Sequence, residues 1–273
     1  MPRPKFDDTL SKAIDDLQEN GFSNRERLER WTSKLSQALG QIHTDINSIE
    51  RRLREYLLGI FDKAVRRGDI LRAHPTVERF TLDRIAPRLR NELTNRIMAS
   101  ANLIQLNREE AIANTLKRFA GWASSVPKGG SDVGKKRQIK ADISKPIQRL
   151  PFTDRRVLID QGHKLNSSIS AVLASDAGAI AAVWHSNWRQ INYDYREDHK
   201  ERDEKVYLIR DSWAHKNGLV KKGPAGYTDE ITQPAEEPFC RCRYRYLYHL
   251  RQLPAEMLTV KGRQALEEAR KAA

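Results

Sequence analysis

The stretch that most restricts the fold lies near the C-terminus: Cys240-Arg241-Cys242-Arg243-Tyr244-Arg245-Tyr246-Leu247-Tyr248. Cys240, Cys242, Tyr244, Tyr246 and Tyr248 take alternate positions, with Arg241, Arg243 and Arg245 between them. Successive side chains of an extended chain point to opposite faces. The alternation therefore predicts a strand with one semi-apolar side and one cationic side. Both cysteines of the chain fall on one face of it. Neighbours so placed are poorly disposed to bridge each other, and two cysteines make no disulfide framework.

Upstream, Trp184-His185-Ser186-Asn187-Trp188 closes a helical pattern, and Arg196 and His199 form an Arg-x-x-His. Lys205-Val206-Tyr207-Leu208-Ile209 is a short β-prone run, and a turn from Pro234 to Pro238 leads into the Cys-Arg-Cys. In this order the features resemble the phage Mu F-like head-morphogenesis family, minor head proteins of tailed bacteriophages. The likeness covers Asp160 to Tyr248, roughly a third of the chain. Arg196 and His199 fall on the family's Arg-x-x-His, and Cys240-Arg241-Cys242 on its Cys-Arg-Cys. The chain departs from the family at Asp203-Glu204, where an Asp-Gly or Asn-Gly turn is usual. Glutamate enters the left-handed region less cheaply than glycine, so a different turn type is expected. The resemblance implies a non-enzymatic minor head protein, built into the procapsid beside the portal vertex. It would be assembled in the host cytoplasm and carried in the virion, with phage portal or capsid proteins as partners.

The N-terminal half reads as helices. Leu10, Ile14 and Leu17 share a face that Gly21 ends, and Ser23-Asn24-Arg25-Glu26 has the form of a capping box. From Leu28 through Leu35, Leu39, Ile42, Leu53 and Phe61, apolar residues recur every three or four positions as far as Arg67-Gly68. This predicts a helix of about 65 Å at about 1.5 Å per residue. A helix over 77–106 with a kink or restart at Pro87 follows, then a shorter one over 111–123. The near-heptad stripe suits an internal bundle, a coiled coil with a second copy of the chain, or both. His43 and His74 stand isolated in this half.

The formal charge of +13 is unevenly spread. Residues 127–150 hold 7 basic against 2 acidic side chains, as large an excess as the whole of 1–126 with 22 against 17. Gly129-Gly130 and Ser131 interrupt any helical pattern there, so a basic flexible linker is expected. Lys135, Lys136, Arg137 and Lys140 in it, with Arg241, Arg243 and Arg245 of the strand, are the candidate contacts to double-stranded DNA. Such binding would be non-specific and salt-dependent. The competing readings are a solvated connector and an edge strand guarded by its charges. No apolar run approaches the ~20 residues of a membrane span.

The expected fold class is α+β and mostly helical: long N-terminal amphipathic helices, then a small α+β module with a short antiparallel sheet. The expected boundaries are 1–126 for an elongated helical region, 127–150 for the linker, 151–253 for the module and 254–273 for a final helix starting at Pro254. Chemistry concentrates in the module. His199, Cys240 and Cys242, with His185 or His215 as a further donor, form a candidate zinc-ligand set; against it, a Cys-x-Cys is half of a usual zinc pattern. Without metal, the thiols serve as small buried hydrophobes. A Cys–His nucleophile in a nucleic-acid-processing or toxin-like enzyme is the alternative from another class, and a zinc-stabilised DNA-binding protein a third. Otherwise no cofactor is expected, and Arg196 and His199 pin the local turn.

Overall fold

The computed structural model describes residues 3–22, 24–40, 46–127 and 133–271. Ser23, Ile42, His43, Gly129, Gly130 and Ser131, singled out above, lie outside them. The chain is mostly helical and carries a small α+β module with a three-stranded antiparallel sheet. It divides into two compact units, and each is assembled from two separate stretches. One is Met1–Leu53 with Met98–Leu158; the other is Arg54–Ile97 with Ile159–Ala273.

The first unit is all helix. In α1 (Arg3–Asn20), Phe6, Leu10, Ala13, Ile14 and Leu17 are buried along one stripe. Gly21, at φ +66°, ends the helix by donating its N–H to the Leu17 carbonyl at 2.8 Å. In α2 (Arg25–Gly40) the cap is Asn24, whose Oδ1 accepts from the Arg27 N–H at 2.9 Å. Trp31, Leu35 and Leu39 of α2 join the α1 stripe, together with Phe119 and Ala123. α3 (Ile46–Phe61) follows, and residues 41–45, on which the expectation of one continuous helix turns, lie outside the described residues. Its Ile49 and Leu53 pack with Ile104 and Val157. The stripe is thus buried within the chain.

Residues 127–150 differ from expectation. Val133–Gln148 is a helix, α5, that buries Ile143 and Ile147 against the α1–α2 cluster. Two of its lysines face α1: Lys136 pairs with Asp15, and Lys140 donates to the Ser11 hydroxyl at 3.1 Å. Ile139, Ile143 and Ile147 recur every four positions, the spacing of an amphipathic helix, and burial of the last two outweighs the helix's high charge.

α4 (Arg79–Ala123) runs through Pro87 without a restart and takes in the separate short helix expected over 111–123. Leu82, Ile85, Leu89 and Leu93 are buried on both sides of the proline. At about 1.5–3 kcal/mol each they exceed the ~3 kcal/mol cost of an interior proline. With Ile97 they join Leu57 and Phe61 of α3 and Leu165, Ile169 and Leu173 of α6 (Leu150–Asp176) in one core. Residues 54–97 therefore belong to the same compact unit as 159–273.

Gly178, at φ +76°, follows the end of α6, and the chain turns into β1 (Ala181–His185). The break that the small residues over 174–179 suggest is present, and the structure corrects the rest of the sequence reading, which resumed the helix at Ile180 and carried it to about Asn187. β1 is the central strand, flanked by β2 (Val206–Leu208) and β3 (Arg243–Leu247), both antiparallel to it. Its first four residues are all buried. A strand covered on both faces shows no period of two. Two short helices, α7 (Glu197–Glu201) and α8 (Trp213–Lys216), lie in the connections. The last helix, α9 (Val260–Lys271), starts six residues after Pro254, beyond a 3-10 turn at Ala255–Met257.

Candidate functional site

The register of β1 with β3 pairs Trp184 with Tyr244 and Ala182 with Tyr246 on one face. On the other face it pairs His185 with Arg243 and Val183 with Arg245. The tyrosine–arginine alternation therefore holds along β3, although the strand begins only at Arg243. Cys240 and Cys242 precede it, yet both sulfurs reach the tyrosine face, where they cluster with Trp184, Tyr207 and Tyr244.

The opposite wall of this cluster is His199 on α7. It is buried, with its ring edge-on to Trp184 at a centroid distance of 5.2 Å. Its Nδ1 lies 3.5 Å from the Cys240 Sγ and 3.6 Å from the Cys242 Sγ. The other ring nitrogen, Nε2, is buried without a hydrogen-bond partner among the described residues. Two carboxylates stand just beyond reach of it, Glu237 Oε1 at 3.7 Å and Asp198 Oδ2 at 3.9 Å.

Glu237 is held in turn by an ion pair with Arg196, which also donates to the Pro238 carbonyl at 3.1 Å. The two ends of the Arg-x-x-His thus do different work. His199 meets the thiols, and Arg196 fixes the turn that delivers them.

That turn is tightly wound. Ala235 and Phe239, neither of them glycine, sit at φ +66° and +61°. Left-handed backbone costs an ordinary residue about 1–2 kcal/mol. Offsetting contacts are present: the Phe239 N–H donates to Asp160 Oδ1 at 2.6 Å, and the Ala235 N–H points at the Cys240 sulfur at 3.4 Å. The two thiols titrate as a pair. A hydrogen bond from the Cys242 thiol and backbone N–H groups of Cys242 and Ala235 pull the Cys240 pKa down. The same thiol contact, with burial, pushes Cys242 up. Both cysteines are free thiols.

The turn between α7 and β2 contradicts one sequence expectation. Glu204 does adopt the left-handed region, at φ +61°. Its strain is offset by the Glu204 N–H donating to the Trp184 carbonyl at 2.8 Å. Asp203 beside it accepts from the Ser186 N–H at 2.7 Å and from Trp188 Nε1 at 2.9 Å, and these contacts hold its pKa down against burial. Asp203 therefore braces the end of β1 and does not orient His199.

The remaining candidates separate. His185 pairs with Glu204 at 2.9 Å, and His215 contacts the Tyr227 hydroxyl at 3.3 Å, so neither joins the thiols. Lys135 and Arg137 of α5 are exposed, whereas Lys136 and Lys140 are engaged by α1. Arg241 lies over the Tyr193 ring at 5.3 Å, off the strand. Arg243 and Arg245 are exposed on β3, the sheet's outer strand.

One buried group has no sequence signal at all. His74, described above as isolated, is enclosed: Nδ1 meets the Tyr248 hydroxyl at 2.5 Å, Nε2 meets the Ser170 hydroxyl at 2.9 Å, and Tyr246 stacks on the ring at 5.6 Å. Burial lowers its pKa to about 4.

The arrangement offers two soft sulfur donors and an imidazole nitrogen converging on one point, backed by carboxylates. No helix among the described residues is long and apolar enough to cross a membrane. No family model matches this chain, and no curated protein or solved structure matches it.

Proposed function

We propose that this chain is a structural minor head protein of a tailed bacteriophage, of the Mu F-like kind, and acts at the portal or procapsid. The observation that carries the reading is the convergence of His199, Cys240 and Cys242 on one buried cluster, with half-exposed Arg196 holding the turn that delivers the cysteines. Burial also favours a scaffold over an enzyme. His199 and Cys240 are 1 % exposed and Cys242 is 4 %, so a nucleophile there would meet no substrate. The helical unit supplies the surface for portal or capsid proteins. Exposed Arg243 and Arg245 on the sheet's edge are the side chains that would face double-stranded DNA, through phosphate contacts that weaken with salt.

The test is co-expression of the chain with portal and capsid proteins of a tailed bacteriophage, followed by sedimentation. The reading expects the chain to travel with portal or procapsid. A chain that sediments alone, and whose particles assemble equally well without it, would remove the head role. Turnover of a nucleic-acid substrate that disappears in Cys240→Ala would favour the enzyme instead.

A further inference from the structure

We propose that His199, Cys240 and Cys242 form a zinc centre, a Cys2His set that clamps α7 to the entry of β3. This goes beyond the head role and does not depend on it.

The geometry is the first support. Zinc binds thiolate sulfur at about 2.3 Å and imidazole nitrogen at about 2.0–2.1 Å, so the nitrogen–sulfur edge of a tetrahedral site is about 3.5–3.6 Å. The two edges here are 3.5 Å and 3.6 Å. An imidazole nitrogen has one in-plane direction for a proton or a lone pair, so a linear hydrogen bond reaches one sulfur and two near-equal contacts require a bent, shared and weaker one. A cation lying on that direction, with a sulfur on either side, satisfies all three donors.

The surroundings of the donors are the second support. The Ala235 N–H directed at the Cys240 sulfur is a contact that stabilises a thiolate. The unpartnered His199 Nε2 with Glu237 at 3.7 Å is the outer layer expected of a metal-bound histidine. Metal at Nδ1 leaves the proton on Nε2, and after a small tilt of the ring the Nε2–H donates a hydrogen bond to the Glu237 carboxylate. Arg196 then acts as the residue that holds Glu237 in place. The left-handed residues Ala235 and Phe239 flank Cys240, and metal ligation is a source of free energy able to maintain them.

Among the described residues one other grouping has comparable donors: His185, Asp203 and Glu204. Asp203 is already bonded to Ser186 and Trp188, and Glu204 is exposed. Hard carboxylates on an open surface are the weaker zinc set.

The experiment uses the full chain, purified reduced and dialysed, with zinc content measured by mass spectrometry. Cobalt(II) is then titrated into the metal-depleted chain and followed by absorption. The expected result is stoichiometric zinc and, with cobalt, a thiolate charge-transfer band alongside the visible bands of a tetrahedral site. Cys242→Ser removes most of the charge-transfer band, and Glu237→Gln weakens affinity by about 10–100-fold while keeping the bands. Should Cys242→Ser fail to fold, the spectrum of the unsubstituted chain decides. A chain with reduced thiols that retains no zinc and gives no sulfur band with cobalt would overturn the proposal. Metal that stays bound in Cys240→Ser and Cys242→Ser and leaves in His185→Ala would overturn it as well.

Discussion

The two units bury their polar groups in different ways. Among the described residues of the helical unit, the buried polar ones are Gln18, Ser100, Thr115 and Ser144, none of them ionisable. Thr115 and Ser144 bond carbonyls of their own helices, at 2.8 Å to Ala111 and 2.6 Å to Lys140. Such groups are satisfied locally wherever the helix forms. In the second unit the buried set includes His74, Asp160 and His199, with both thiols close by. Their partners are far away in sequence: Tyr248 for His74, 174 positions on, and Phe239 for Asp160, 79 positions on. One unit buries polar groups that are satisfied within their own helices; the other adds long-range polar contacts to its apolar core, and one of these, His74 with Tyr248, exists only when its two stretches come together. A half-satisfied network of that kind costs more than an apolar core would.

The largest expected effect follows from this division. A fragment of residues 151–273, the boundary that sequence alone suggests, lacks Leu57, Phe61 and the Leu82–Ile97 stripe of its own core. It also lacks the His74 that meets Tyr248. It should be aggregated or loosely packed, with weak near-ultraviolet circular dichroism. A fragment that shows the sharp near-ultraviolet signal of fixed aromatic packing would show that 54–97 is dispensable, and the comparison would fail.

A smaller effect isolates one polar group. His74 protonates at about 4 in the folded chain, below its ordinary value of 6.5. The unfolded chain therefore binds more protons between these values. The stabilisation from a neutral His74 is complete above about pH 6.5 and is lost as pH falls toward about 4. At about 1.4 kcal/mol for each pKa unit, the loss is roughly 3 kcal/mol. Urea unfolding at pH 7.5 and pH 4.5 should show this loss in the unsubstituted chain and not in His74→Gln, whose side chain does not titrate. An equal loss in both would place the pH sensitivity elsewhere.

How much of this was legible in the sequence divides along the same line. The α1 and α2 stripes, the Gly21 stop and the Tyr–Arg alternation of β3 are local patterns, and they fold as they read. The meeting of His199 with Cys240 and Cys242 was legible through their motif, although the cysteines lie in a turn rather than in the strand. β1 was not legible, because its burial on both faces erases the alternation. α5 was hidden by its lysines and by the glycines before it, and only the Ile143 and Ile147 spacing pointed to it. Glu237 as the residue between Arg196 and His199, and the enclosure of His74, depend on contacts across the whole chain. No local spacing encodes them.

The central claim is that the His199–Cys240–Cys242 cluster keeps the shape of the second unit. Native-state hydrogen exchange on the full chain and on Cys240→Ser tests it most directly. The account predicts that amides of β1, β3 and α7 lose protection in Cys240→Ser, while those of α1, α2 and α5 keep theirs. Unchanged protection in β1 and β3, or an equal loss in both units, would contradict it.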